Sequence, residues 1–427
     1  MIKTDAHQSR RFGVVLLLAS LLLPGTSARV WAAEFAGGAY LCNPRMDGMT
    51  VGWVADAADV GEVQYGETES HGKTAAIALC DRIAQKPNAR SERYACRARL
   101  RGLTAGATYY YKVSAGGIEG QRTGRFRIPR RGDPLLIVFQ SDASPVTDLD
   151  IAFVEEKTGR AVDLLVDAGD TIQHGRDFFD FKPALYRRVP IVLAKGNHEP
   201  DWPQKDIGFH YLDHEGGAPD RREHSVDYGP ARWIVGPYVP YADDFTTEQL
   251  TWIESQLKGT NRPWKFYVCH HVFFSDGYHS ALRWGTDAGE GVRRRRSVWP
   301  LLMKYDVRVA VNGHDHVYQR TFPIDKDGNV TPHGTVNLDV AVGNSVRNRE
   351  SAWMARFRQS GDGPGQAMGV TYLLLDGKTG TIEFYTRPRK QPELGDFKLA
   401  DRFTFSPTHF HEDALVPETR LSLQNRE

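Results

Sequence analysis

Five short apolar and β-branched runs each end in residues that carry chemistry, and this pairing constrains the fold of the 427-residue chain more than any other feature. Leu135 to Phe139 leads into Gln140-Ser141-Asp142, Val162 to Val166 into Gly169-Asp170, and Pro190 to Ala194 into Gly196-Asn197-His198-Glu199. Lys265 to Val268 leads into Cys269-His270-His271, and Val307 to Val311 into Gly313-His314-Asp315-His316. Runs of this kind are strands covered on both faces, as in α/β folds. The ligand crevice of such folds lies beyond the carboxyl ends of the strands. Five strand ends therefore deliver two aspartates, an Asn-His pair, a histidine and a His-x-His to one rim. Of the 15 histidines, 10 fall between residues 170 and 320, about a third of the chain.

The length corresponds to two or three domains at about 150 residues each. Lysine and arginine total 54 against 53 acidic residues, so no overall field draws the chain to nucleic acid or to an acidic membrane. Four cysteines are too few for a disulfide-built scaffold and lack zinc-ribbon spacing. Metal chemistry here would use oxygen and nitrogen donors.

Arg10 and Arg11 precede an apolar run from Phe12 to Leu23, followed by Pro24, Gly25 and the small residues Thr26, Ser27 and Ala28. This is the layout of an export signal over residues 1–33, by the general or the twin-arginine route. As helix the run spans only about 18 Å, short of a bilayer core of about 30 Å. The mature protein is expected to be soluble, periplasmic or secreted, with no membrane association after cleavage. Export permits disulfides: Cys80 and Cys96 either pair or stand as small buried thiols, while Cys42 and Cys269 have no evident partner.

Residues 35–128 carry short alternating segments at Met49 to Val54, Val60 to Tyr65, Tyr94 to Leu100, Thr108 to Ser114 and Arg125 to Ile128. They predict a small all-β sandwich. Leu103 to Val113 sets a glycine-containing turn before an aromatic strand and resembles the fibronectin type III kind. Pro129 to Pro134 is a polar junction, residues 133–388 carry the α/β pattern, and residues 389–427 read as an irregular tail. Thr246 to Leu257 is the clearest helix, with Thr246 and Gln249 as a capping box and Gly259 at its end.

Carboxylate, amide oxygen and imidazole together suit zinc, manganese or iron. One carboxylate can bridge two such cations about 3.5–4 Å apart, letting them clamp a phosphoryl group and supply hydroxide at neutral pH. The glycines before Asp170, Asn197 and His314 fit tight turns that bring backbone close to the ions.

With these motifs in this order, residues 36–388 resemble the purple acid phosphatase branch of the calcineurin-like metallophosphoesterases. The resemblance implies a four-layer α/β/β/α metallophosphoesterase domain after the sandwich. It implies an acid phosphatase-like phosphoric ester hydrolase in which metal-activated hydroxide attacks phosphate monoesters at a dinuclear centre of iron, zinc or manganese. Asp142, Asp170 and His316 would hold the first metal and Asn197, His270 and His314 the second, with Asp170 bridging. His198 and His279 would contact the phosphate or assist the leaving group. The family pattern favours His270 over His271, although Val268 to His271 also fits V-x-x-H read literally. Two positions depart from the family. Gln173 stands where purple members carry a tyrosine, and Asp142-Ala143-Ser144 lacks the D-x-H of other members. Gln173, His174 or water would complete the first site, and without a phenolate the centre is expected to be colourless. The implied partner is a small-molecule phosphate ester, with no nucleic acid. Competing readings are diester hydrolysis at the same site and a degenerate metal-binding surface or adhesion module.

Arg293 to Arg296 read as a solvated face, and His210, His214 and His224 as surface residues. Ser345 to Met368, with Arg347, Arg349, Arg356 and Arg358, reads either as a lid for anionic substrates or as a mobile exposed loop. Tyr318-Gln319-Arg320 is a candidate support for the histidines.

Overall fold

The computed structural model describes residues 35–55, 57–83, 93–114, 122–142, 146–170, 183–199, 223–239, 244–277, 290–342, 351–358 and 367–415. The expected export signal lies outside them. Eight strands precede the junction: β1 (Phe35–Arg45), β2 (Gly48–Ala55), β3 (Val63–Gly66), β4 (Lys73–Ala75), β5 (Leu79–Ile83), β6 (Arg93–Arg101), β7 (Thr108–Val113) and β8 (Thr123–Arg127). They form the expected sandwich, with β4-β3-β7-β8 facing β1-β2-β6-β5. Alternate side chains, among them Val51, Trp53, Leu100, Tyr109, Tyr111 and Phe126, fill the space between the two layers. Cys80 and Cys96 sit opposite each other on β5 and β6 and form a disulfide, while Cys42 and Cys269 are buried free thiols.

The α/β portion contains β9 (Leu135–Gln140), β10 (Leu164–Asp167), β11 (Ile191–Leu193), β12 (His224–Tyr228), β13 (Ala231–Val235), β14 (Trp264–Val268) and β15 (Val309–Asn312). It continues with β16 (Tyr318–Thr321), β17 (Val336–Val340), β18 (Met354–Arg358), β19 (Ala367–Asp376), β20 (Thr379–Pro388) and β21 (Lys398–Phe405). One sheet runs β21-β20-β19-β9-β10-β11 and extends into the sandwich through a parallel pairing of Cys42 with Ile191. The second sheet runs β12-β13-β14-β15-β17-β16-β18.

Period-two alternation builds the layers. On β9, Leu135, Ile137 and Phe139 enter the core shared by the two sheets, where Trp233 and Phe266 also pack. Leu136 and Val138 point the other way, against Ile151 and Val154 of α1 (Asp148–Thr158). The short α2 (Pro183–Tyr186) adds Leu185 and Tyr186 to the same outer core. On the far side, Tyr267 and Ala310 meet α3 (Thr247–Lys258) and α5 (Trp299–Lys304), which flank α4 (Glu290–Ser297) in sequence. The result is the four-layer α/β/β/α arrangement. The capping box of α3 is formed: Gln249 Oε1 accepts from the Thr246 amide at 2.9 Å, and Thr246 Oγ1 accepts from the Gln249 amide at 3.2 Å. Among the described residues no helix is long and apolar enough to cross a membrane.

Three expectations need correction. Residues 389–427 are not wholly irregular, because β21 completes the first sheet by pairing with β20. Its Asp401 is buried and held by Arg320, by Arg356 at 3.1 Å and by the Tyr318 hydroxyl at 2.8 Å. Arg356 is therefore a core residue rather than part of a lid, and Arg320 and Tyr318 anchor the carboxyl-terminal strand; Arg347 and Arg349 lie outside the described residues. Within the basic run, Arg294 is buried and donates to the Val239 carbonyl, and Arg295 lies over the Phe274 and Trp353 rings.

Removing one partner from such a buried network leaves the others uncompensated. Asp401→Ala is expected to lower unfolding stability by about 3–5 kcal/mol in a denaturant titration. An unchanged midpoint and slope would contradict that role.

Candidate metal centre

The site grows from the way each strand ends. Asp142, Asp170, His314 and His316 all adopt left-handed backbone, with φ of 58°, 59°, 76° and 53°. Non-glycine residues held there cost about 1–3 kcal/mol each and persist only where the surroundings fix them. The surroundings do so through short backbone bonds. The Asp142 amide donates to the Gly169 carbonyl at 2.8 Å, and the Gly313 amide to the His270 carbonyl at 2.8 Å. Two contacts tie one sheet to the other: the His314 amide donates to Asp142 Oδ2 at 2.9 Å, and His270 Nδ1 meets the Ala168 carbonyl at 2.9 Å.

A carbonyl only accepts, so His270 Nδ1 carries the proton and Nε2 faces the cluster. Nε2 lies 3.1 Å from Asp170 Oδ2 and 3.1 Å from Asn197 Oδ1. His314 Nδ1 is 2.9 Å from the same Asn197 oxygen, and His316 Nε2 is 3.1 Å from Asp142 Oδ1. Donor atoms each about 2.1 Å from one cation would stand about 3 Å apart at octahedral edges, which is the spacing seen. Asp142 Oδ1 and Asp170 Oδ2 are buried, and each faces an imidazole nitrogen at 3.1 Å without the geometry of a regular hydrogen bond. Asp170, His270 and His314 form a buried group able to hold a metal ion. Buried carboxylate oxygens beside imidazole nitrogens make a donor set that fits a cation.

The electrostatics carry the same message. Burial opposes charge on His270, but Asp170, Asp142 and Glu199 outweigh it and push the imidazole up to about 10. Burial also opposes charge on Asp142, yet His316 and His270 hold its carboxyl well below the usual range; for Asp170, His270 outweighs burial and lowers the carboxyl. Burial lowers His314, and it lowers His271 further together with Arg294 and His270.

All six residues expected as metal ligands thus come together, and His270 rather than His271 faces Asp170. His271 is buried behind, its ring 4.9 Å from that of His314 and 5.5 Å from that of Tyr238. His198 stands at the open side: its amide donates to Asp170 Oδ1 at 2.7 Å, its Nε2 is 3.9 Å from Asp170 Oδ2, and its side chain is 34% exposed. Gln173, His174, His210, His214 and His279 lie outside the described residues, and His224 is partly buried in β12. Glu199 was given no role by the sequence reading. It is buried and accepts from the Asp170 and Gly196 amides at 3.1 and 2.6 Å, fixing the turn between two site residues. Burial and the Asp170 charge raise its carboxyl well above the normal range. Gln319 donates to Asp315 and Asp339 at 3.1 Å each, supporting the loop between the two histidines.

Residues 148–318 match the calcineurin-like phosphoesterase family, and residues 40–128 match the purple acid phosphatase N-terminal domain. The chain is 33% identical to Probable inactive purple acid phosphatase 24 of Arabidopsis thaliana over 32% of its own length and 24% of that protein's. It is 34% identical to the Nucleotide pyrophosphatase/phosphodiesterase of Hordeum vulgare over 32% of its length and 41% of the other's. It therefore spans between a quarter and two fifths of these relatives. The solved structure of purple acid phosphatase PPD1 from yellow lupin (Lupinus luteus) seeds superposes with a TM-score of 0.70 at 20% identity, covering 89% of this chain and 76% of that one. The chain thus has a purple acid phosphatase-like fold, with a region similar to the purple acid phosphatase N-terminal domain ahead of a calcineurin-like phosphoesterase domain. The family works with paired metal ions and implies a phosphate ester substrate.

Two glycines make the convergence sterically allowed. A Cβ at Gly196 would stand 1.9 Å from Asp170 Oδ1, and one at Gly313 would stand 1.8 Å from Ser141 Oγ and 2.7 Å from Asp142 Oδ2. Gly196→Ala and Gly313→Ala are expected to lower the metal-to-protein ratio in elemental analysis while circular dichroism shows a folded chain. Full metal content in both would contradict the packing account.

Proposed function

We propose that the chain is an exported phosphoesterase that hydrolyses phosphate monoesters at a dinuclear metal centre. The observation that carries the reading is the gathering of Asp142, Asn197, His270, His314 and His316 around Asp170. Asp142, Asp170 and His316 would hold one ion, and Asp170, Asn197, His270 and His314 the other. When bound, such ions supply an activated water and neutralise phosphoryl charge.

The chain's own residues do the rest. The Ala168 carbonyl fixes the His270 tautomer, and Glu199 fixes the turn that presents Asp170 and Asn197. His198, half-exposed beside Asp170, donates to a phosphoryl oxygen or to the departing alkoxide. His279 keeps the same role on sequence grounds. The Cys80–Cys96 disulfide supports export to the periplasm or beyond.

A second reading has specific support: one matched relative is named probable inactive and another a pyrophosphatase/phosphodiesterase. A chromogenic monoester and a chromogenic diester, assayed beside metal content, separate the readings. Turnover of the monoester is expected. Turnover of the diester alone would make the chain a phosphodiesterase, and turnover of neither would make it a degenerate metal-binding module.

Asp170→Ala is expected to lose metal and activity together. His198→Ala is expected to keep its metal and lose about 100- to 1,000-fold in kcat. Full activity in Asp170→Ala would end the proposal. With Gln173 at the tyrosine position, iron-loaded protein is expected to show no strong visible charge-transfer band, and a purple product would contradict this.

A further inference from the structure

A cavity of about 580 Å³ lies between the sandwich and the α/β domain and shares no lining residue with the candidate metal centre. Tyr109, Tyr111 and Phe126 point into the sandwich core, so Tyr110, Lys112 and Arg125 project from the outer face of β7 and β8. Tyr110 and Arg125 are directly paired across the two strands. Arg187 and Arg188, just after α2, contribute from the α/β domain. The two walls are fixed to each other, because the Tyr111 hydroxyl donates to the Arg187 carbonyl at 3.0 Å. Gly124 makes room for that contact: a Cβ there would lie 2.3 Å from the Arg187 oxygen.

The lining sets Lys112 and three arginines against one carboxylate, Glu69. Arg188 is already paired with Glu155 at 2.7 Å. Among the described residues neither Arg125 nor Arg187 forms an ion pair. Planar guanidinium groups match phosphate oxygens, and a tyrosine face beside them can pack against the face of a base or of a sugar ring. The volume falls within the range of about 300–1,000 Å³ typical of small-molecule sites.

The geometry points to a second, non-catalytic site for a phosphate monoester carrying a ring, with its phosphate on Arg125 and Arg187 and its ring against Tyr110. A nucleotide and a sugar phosphate share that chemistry. The site does not rest on the phosphoesterase reading.

Calorimetric titration of the full chain tests it with three probes: the non-hydrolysable phosphonate analogues of adenosine 5′-monophosphate and of ribose 5-phosphate, and inorganic phosphate. Analogue binding is expected to weaken by about tenfold or more in Arg125→Ala/Arg187→Ala, and in Arg125→Glu as an independent surface variant. Tyr110→Ala is expected to weaken the analogues and leave phosphate unaffected. Circular dichroism and metal content should match the wild type in each variant. A preference for the adenosine analogue identifies a nucleotide site, and equal binding of the two analogues identifies a sugar phosphate site. Affinities unchanged in the arginine variants, or inorganic phosphate binding as tightly as both analogues, would overturn the proposal.

Discussion

Two buried carboxylates dominate the electrostatics of this fold. Asp142 and Asp170 leave the ends of β9 and β10 and turn inward, and each keeps one buried oxygen that faces an imidazole nitrogen at 3.1 Å. Desolvated anions this close to each other are expensive unless a positive charge stands between them. Every other feature of the centre follows from holding that arrangement: four left-handed backbone positions, two glycines whose side chains would fill it, and amide donors aimed at the outer carboxylate oxygens.

The cost of the arrangement is spread over both sheets. Asp142, Asp170 and Asn197 come from the first and His270, His314 and His316 from the second, so neither sheet holds the centre alone. The large aromatic core between them, with Trp233 stacked on Phe266 at 4.4 Å, keeps the strand ends in register. The buried Asp401 network then locks β21 to β16 and β18, which follow the His-x-His turn. A network far along the chain thereby steadies the strand that leaves the metal centre.

Much of the centre was legible in the sequence because the strand-end motifs combine two independent signals, a β-branched run and a polar terminus. The capping box at Thr246 was legible for the same reason, since local chemistry decides it. What escaped detection depended on tertiary context. On β21, Leu399 is 48% exposed while Asp401 is 3% exposed, because a register irregularity at Phe384/Tyr385 shifts the pairing. The hydrophobic pattern therefore reads as an irregular tail. Arg294, Arg295 and Arg356 look like surface charge until their partners, distant in sequence, are placed beside them. Glu199 sits inside the Gly-Asn-His-Glu string, but its function, accepting two amides from a neighbouring turn, has no sequence periodicity. The phosphate-ring cavity likewise joins residues about 60 positions apart across a domain seam, where local patterning carries no signal.

Anomalous diffraction from crystals grown with manganese or zinc tests the central claim most directly. The account predicts two peaks about 3.5–4 Å apart, one on each side of the Asp170 carboxylate. A single peak remote from Asp170, or well-ordered Asp142 and Asp170 side chains with no bound ion at saturating metal, would contradict it.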